Sequence, residues 1–149
     1  MVTLKGNEMG RFSVEVELAN YGDVSAAHRG VLPADQVRRA RVRGVVDTGA
    51  TRLVLPEKVA RQLGLEIEES EVAVTYADGR RATRPFAQGI HLTYMGRSSI
   101  FNAIIEPNRE AALIGALVME DLDLIPDCRN GTLLPRDPNQ IVSEIESSR

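Results

Sequence analysis

The sequence predicts a mostly β protein with two short helices and one domain per chain. Several segments alternate apolar and polar residues, which is the period of a half-buried strand. Asp78-Gly79 is a strong two-residue hairpin signal, and two short apolar strands each end near a glycine that precedes a helical pattern. With 149 residues, of which 43% are apolar and 26% charged, the chain has the size and composition of one globular domain.

Composition and charge argue against several classes of partner. A net charge of −3 gives no electrostatic footprint for nucleic acid or for an anionic membrane surface. The chain has neither a long apolar run nor the layout of a secretion signal, so we expect no membrane partner and a cytoplasmic location. One cysteine, Cys128, excludes an internal disulfide, and together with two distant histidines it cannot form a His/Cys zinc site.

The first third of the chain predicts two strands joined by a loop. Residues 12–18 alternate apolar and polar side chains and form the first strand. Glycines and a proline interrupt residues 20–35, which we predict to be a connecting loop. The second strand covers residues 37–46, with arginines on one face. These arginines are Arg39, Arg41 and Arg43. They could form a basic binding patch, but the acidic net charge favours the solvated face of a strand.

The middle of the chain predicts a helix followed by two hairpins. A helical pattern over residues 56–64 begins with a proline and stops at a glycine. Alternating residues then lead to the turn at Asp78-Gly79, and the chain returns over residues 81–94. A second turn at residues 95–97 leads back along the following strand. We therefore predict two consecutive hairpins, the first with a polar, mobile tip.

The last third predicts another strand and helix and then a polar tail. An apolar strand ends at Gly115, and a helix follows with Leu117, Val118 and Leu122 directed inward. Residues 132–134 form a short last strand. The tail has only three apolar residues with which to build a terminal helix, and we do not predict order for it.

The stretch from Val45 to Thr51 is suited to holding one carboxylate rigidly. Two β-branched residues precede Asp47, so a buried strand stops at an acid. The Thr48 hydroxyl can lock the turn, while Gly49 lets the main chain pass close to the acid and donate N–H groups. Taken alone, the pattern is also that of a plain turn, because Asp and Gly are common turn formers.

Together with Leu113-Ile114-Gly115, this stretch resembles the active-site signature of the retropepsin-like aspartic proteases, and the remaining pattern is more similar to their single-domain bacterial members. The resemblance implies the closed β-barrel of the acid protease fold over residues 1–137, followed by a polar tail at 138–149. It implies that Asp47 is catalytic and that the Thr48 hydroxyl bridges two catalytic turns. The implied site also contains an active-site loop of Thr48, Gly49, Ala50 and Thr51, a substrate-covering flap of Ala77, Asp78, Gly79 and Arg80, and a second apolar element of Leu113, Ile114 and Gly115 beneath the catalytic loop.

The chain departs from the viral members of this family at two positions. Those members carry Asp after the catalytic Gly-Ala and Arg after the later Gly, and the two form an ion pair near the active site. Here the positions hold Thr51 and Ala116. Because both charges are missing together, no buried charge is left without a partner.

The resemblance implies an aspartic endopeptidase that acts on a peptide or protein substrate. Its mechanism needs two carboxylates that share a proton, so the second Asp47 must come from another copy of the chain in a symmetric homodimer. No metal or organic cofactor is implied. Two alternatives of other classes stay open: a catalytically silent dimeric peptide-binding module of the same fold, and a purely structural dimerisation domain.

Overall fold

The computed structural model describes residues 11–147, apart from the side chains of residues 69 and 70, and these residues form two β-sheets and three short α-helices. Residues 1–10 of the predicted domain and 148–149 of the predicted tail lie outside the described residues. In chain order the elements are β1 (Arg11–Asn20), α1 (Tyr21–His28), a 3-10 turn (Ala34–Gln36), β2 (Arg39–Asp47), β3 (Leu53–Pro56), α2 (Glu57–Gln62), β4 (Ile67–Thr75), β5 (Arg81–Tyr94), β6 (Arg97–Glu106), β7 (Ala112–Ile114), α3 (Ala116–Leu122), β8 (Leu124–Asp127) and β9 (Thr132–Pro135).

The larger sheet closes on itself. Its strand order is β1-β2-β7-β3-β6-β5-β4, and β1 also pairs with β5, so six strands form a ring with β4 outside it. Most neighbours are antiparallel, while β2 with β7 and β3 with β6 are parallel. The predicted mostly β architecture is confirmed, and the closed sheet agrees with the predicted barrel.

Strand β5 belongs both to the ring and to the hairpin that projects from it. Its first half pairs with β4, and its last residues pair with β1 from Ile90 to Thr93. The two halves meet at a register shift between Ala87 and Ile90, where Gly89 has a φ of +78°. Such a bulge bends a strand and increases its twist, which lets one strand serve two partners.

The ring encloses one apolar core. In β2 the alternation is as predicted, because Ala40, Gly44 and Val46 are buried while the three arginines on the other face are exposed. Side chains from α2 and α3 cover the ends of the core. Its largest fully buried members include Leu18, Leu53, Leu55, Leu63, Ile90, Leu92, Ile105, Ile114, Leu122 and Leu133.

The prediction of a loop over residues 20–35 was wrong in its first half, where α1 lies. The Asn20 side chain caps this helix by accepting a hydrogen bond from the Asp23 backbone N–H (3.0 Å), and it donates to the Leu63 carbonyl (2.9 Å). Hydrogen bonds from the Arg38 side chain and backbone lower the pKa of Asp23 to about 2. None of the residues of α1 is buried, so the helix is held by polar contacts and carries no apolar period.

The orientation predicted for the last helix was wrong at one residue. Val118 and Leu122 are buried as expected, but Leu117 is 44% exposed and Met119 packs inward in its place. The helix has only seven residues, so it presents a narrow face to the core. Strands β3 and β8, of four residues each, were not predicted.

The described part of the tail is attached to the ring by Arg97, which is 9% exposed. Its guanidinium donates to the Leu122 carbonyl (2.9 Å), to the Asp123 carbonyl (3.1 Å) and to the carbonyls of Asp137 and Gln140. No helix forms over residues 136–147. Within the described residues, no helix is both long and apolar enough to cross a membrane.

Replacing Arg97 with Lys is expected to lower the free energy of unfolding by about 2 kcal/mol, because one ammonium cannot reach four carbonyls arranged around a planar fork. Urea denaturation measures this change, and limited proteolysis should cut the tail earlier than in the wild type. The matched control is Arg29→Lys at the exposed end of α1. Equal stability of the two variants would contradict the anchoring role of Arg97.

Candidate active site

Asp47 ends β2 and is held there by two different contacts. Its Oδ1 accepts a hydrogen bond from the Gly49 backbone N–H (3.0 Å), so the following glycine supplies the donor that the sequence pattern predicted. Its Oδ2 lies 3.0 Å from a terminal nitrogen of Arg11, which is directly opposite on β1. The Asp47 side chain is 17% exposed, so the carboxylate is open to a cleft although most of it is covered.

The loop after Asp47 is fastened to the start of α3 by main-chain hydrogen bonds. The backbone N–H of Ala116 donates to the Ala50 carbonyl (2.8 Å), and that of Leu117 donates to the Thr51 carbonyl (2.9 Å). Thr51 and Ala116 stand at the positions where, by the resemblance described above, the viral proteases carry an ion pair. Backbone hydrogen bonds therefore join the two segments where this chain has Thr51 and Ala116 in place of charges.

Close backbone packing requires glycine at two positions of this arrangement. A Cβ at Gly115 would lie 2.5 Å from the Arg52 carbonyl oxygen and 2.7 Å from the Thr51 carbonyl carbon. A Cβ at Gly44 would lie 2.8 Å from a side-chain carbon of Ile114. Strand β7 can therefore lie beside β2 in parallel register, with Val46 opposite Ile114, directly beneath the loop.

The Asp47 carboxylate opens on a cleft of about 610 Å³ between the loop and the projecting hairpin. Strand β4 forms one wall and the ends of β6 and β7 form another. Of the predicted site residues, Asp47, Gly49, Ala50, Thr51, Ala77 and Leu113 line this cleft. Thr48 is exposed in the turn, while Ile114 and Gly115 lie beneath the loop.

The predicted flap forms a tight hairpin tip. The backbone N–H of Gly79 donates to the Tyr76 carbonyl (2.9 Å), that of Tyr76 donates to the Arg80 carbonyl (2.9 Å), and Gly79 has a φ of +88°. The Arg80 guanidinium pairs with Asp78 (2.8 Å) and lies 4.7 Å from the centre of the Tyr76 ring. Ala77 lines the cleft and the next three residues form the tip beyond it.

A polar network ties this hairpin to β6. The Tyr76 hydroxyl donates to the Glu106 carboxylate (2.8 Å), and Arg84 forms an ion pair with the same carboxylate. Burial raises the pKa of Tyr76, and its hydrogen bond to Glu106 raises it further. The phenol is a hydrogen-bond donor at the wall of the cleft.

Sequence reasoning missed four charged residues of the cleft: Arg11, Arg52, Glu106 and Arg109. Arg52 directly follows the predicted loop of residues 48–51. Arg11 meets Asp47 only through the register of β1 on β2, which no local pattern encodes. Glu106 and Arg109 lie where β6 ends and in the loop after it. The sequence signal for Glu106 and Arg109 is their position, because the loop that contains Arg109 leads directly into the Leu-Ile-Gly strand beneath Asp47.

Replacing Gly115 with Ala is expected to lower the free energy of unfolding by about 2 kcal/mol and to move the active-site loop, because the new methyl group meets backbone atoms. Urea denaturation measures the stability, and amide chemical shifts of residues 49–52 report the loop. The control is Gly30→Ala, where a Cβ meets nothing within 4 Å. Because Gly30 has a φ of +74°, alanine there strains the backbone locally, but it should leave the amide signals of residues 49–52 unchanged. Unmoved loop signals in Gly115→Ala would contradict the packing argument.

Residues 30–98 match the sequence model of the aspartyl protease family Asp_protease_2. Among solved structures, EIAV protease complexed with the inhibitor HBY-793 aligns with a TM-score of 0.54 at 13% identity, over 82% of this chain and 93% of that one. At this identity the similarity is one of fold. Among curated proteins, no sequence matches the chain. The family match and the shared fold together confirm the resemblance to the retropepsin-like aspartic proteases.

Proposed function

We propose that the protein is an aspartic endopeptidase whose domain, within residues 1–137, hydrolyses peptide bonds. The observation that carries the proposal is the setting of Asp47: a carboxylate at the end of a buried strand, fixed by the Gly49 backbone N–H, that opens on a cleft beneath a hairpin. Thr48 to Thr51 would form the active-site loop, and Leu113 to Gly115 its support.

The chemistry requires a second carboxylate. One acid, ionised, takes a proton from a water that attacks the peptide carbonyl, while the other, protonated, donates to the carbonyl oxygen. In the cleft the other carboxylate is Glu106, which Arg84 and Tyr76 already bind. We therefore infer that a second copy of the chain supplies its own Asp47 across a two-fold axis.

Before two Asp47 carboxylates can meet, Arg11 must move away from Asp47. In the single chain its guanidinium occupies Asp47 Oδ2, one of the oxygens that a partner's carboxylate would approach. The Arg11 side chain is 46% exposed, and partly exposed ion pairs contribute about 1 kcal/mol or less. Dimer formation can therefore displace Arg11 from this oxygen at small cost.

Two surfaces support a dimeric peptide-binding enzyme. Ile125 and Leu134 are cross-strand neighbours on β8 and β9, and each is 49% exposed, which suits burial against a second copy. Strand β4 is the outermost strand of the larger sheet in the described part of the chain, and residues 72–77 of this region line the cleft. An extended peptide can pair with such an edge while the hairpin covers it.

A second candidate function is a catalytically silent, dimeric peptide-binding module. The Arg11–Asp47 ion pair favours it, because a carboxylate held by its own arginine can have a purely structural role. The two candidates agree on peptide binding and differ in whether bound peptides are cleaved.

Asp47→Asn is expected to reduce cleavage of a mixed peptide library by roughly 10³-fold or more, because the amide cannot act as acid or base. Purified wild type should cleave, and a statine-type inhibitor should block it. Asp35→Asn, at an exposed acid outside the cleft, is the matched control and should retain full activity. Wild-type protein that binds these peptides without cleaving them would favour the silent module.

Activity is expected to depend on protein concentration, because each chain supplies one Asp47. Specific activity should fall on dilution through the dimer dissociation constant, and excess Asp47→Asn should suppress the wild type by forming mixed dimers. The pH profile should be bell-shaped, with an acidic optimum where the pair holds one proton. A monomer at every concentration in sedimentation, with undiminished activity per chain, would contradict the two-fold site.

A further inference from the structure

The cleft contains more positive than negative side chains. Its lining includes Arg11, Arg52 and Arg109 against Asp47 and Glu106. Asp47 is paired with Arg11, and Glu106 is paired with an arginine of β5 that is not among the lining residues. Among the described side chains, no carboxylate lies within ion-pair distance of Arg52 or Arg109. The cleft therefore has an excess of positive charge.

Arg109 is held in a defined position within the cleft. Its Nε donates to the Ala111 carbonyl (2.7 Å) in the loop that leads into β7, and the residue is partly buried. Burial lowers the pKa of Arg109, but a guanidinium remains protonated in proteins at ordinary pH. Because Nε donates to the carbonyl, the two terminal nitrogens of Arg109 can bind a ligand. Together they form a planar fork whose geometry matches a carboxylate.

Arg52 adds a second positive charge to the same wall. It lies in the loop between β2 and β3, and its guanidinium carbon is 5.6 Å from the centre of the Phe86 ring. This cation–π contact limits the positions of an exposed side chain at the entrance of the cleft. Arg52 contributes to the positive electrostatic potential of the cleft, while Arg109 is held by a hydrogen bond and is the better candidate for direct contact with a ligand.

We propose that the cleft selects peptides carrying an acidic side chain, Asp or Glu, and that Arg109 pairs with that carboxylate. This inference rests on the proposed function for its substrate class. A partly buried guanidinium has lost some of its hydration, so an anionic ligand group restores a charged partner, while an amide restores less and a cation repels. Selection against basic peptides follows from the same charge.

The test measures peptide binding separately from cleavage. The probes are statine-containing octapeptides in which one position at a time carries Glu, Gln or Lys, and their affinities are measured by calorimetry for each protein variant. For the wild type, at one or more positions, we expect Glu to bind roughly tenfold more tightly than Gln, the size of one charge-assisted hydrogen bond. Arg109→Gln should remove this preference, and Arg109→Glu should reverse it in favour of Lys. Arg52→Gln should reduce it by less.

The matched control is Arg29→Glu, which makes the same charge change at an exposed site outside the cleft and should keep the wild-type preference. Equal affinity for Glu and Gln at every position, or a preference that survives in Arg109→Gln, would overturn the inference. Loss of all peptide binding by the wild type would overturn it as well. A Glu preference that depends on Arg109 in a protein that does not cleave would support the inference while the proposed enzymatic activity fails.

Discussion

The loop after Asp47 is held in place by main-chain contact with the first turn of α3. Two backbone hydrogen bonds cross between residues 50–51 and residues 116–117, and Gly115 brings the two backbones within van der Waals range. The backbone N–H and C=O groups that form these hydrogen bonds are uncharged, so the attachment of the loop to the helix does not change with pH or salt. The position of Asp47 then follows from three constraints: β2 aligned on β7, the loop fixed to the helix, and the carboxylate bonded to Gly49.

Both carboxylates in the described lining of the cleft form ion pairs on this uncharged frame. Arg11 binds Asp47, and Arg84 with Tyr76 binds Glu106, so each carboxylate has a partner from another strand. The two pairs have different consequences. The Glu106 contacts join the hairpin to β6, whereas the Arg11 contact involves a side chain that is 46% exposed. The Glu106 contacts are part of the framework, whereas the Arg11 contact involves the carboxylate that the proposed dimer would use.

The parts of the fold that were predictable depend on local pattern. Alternation identified the long strands, Asp78-Gly79 identified the hairpin, and Val45 to Thr51 identified a carboxylate at a strand end, because each is encoded by neighbouring residues. Helix α1 could not be found this way, since it buries none of its residues and is held by polar contacts of Asn20 and Asp23. The contact between Arg11 and Asp47 depends on register between strands, and the charge balance around Arg109 depends on which side chains the fold brings together. Neither the contact nor the charge balance can be predicted from one short segment of the sequence.

The bulge at Gly89 divides β5 into two mechanically distinct halves. Ring closure through β1 lies entirely on one side of it, and pairing with β4, which carries the hairpin tip, lies on the other. Changes near the tip of the hairpin therefore lie outside the β1–β5 pairing that closes the barrel. One strand therefore combines a wall of the cleft, which is open to variation in length and sequence, with the strand pairing that closes the barrel.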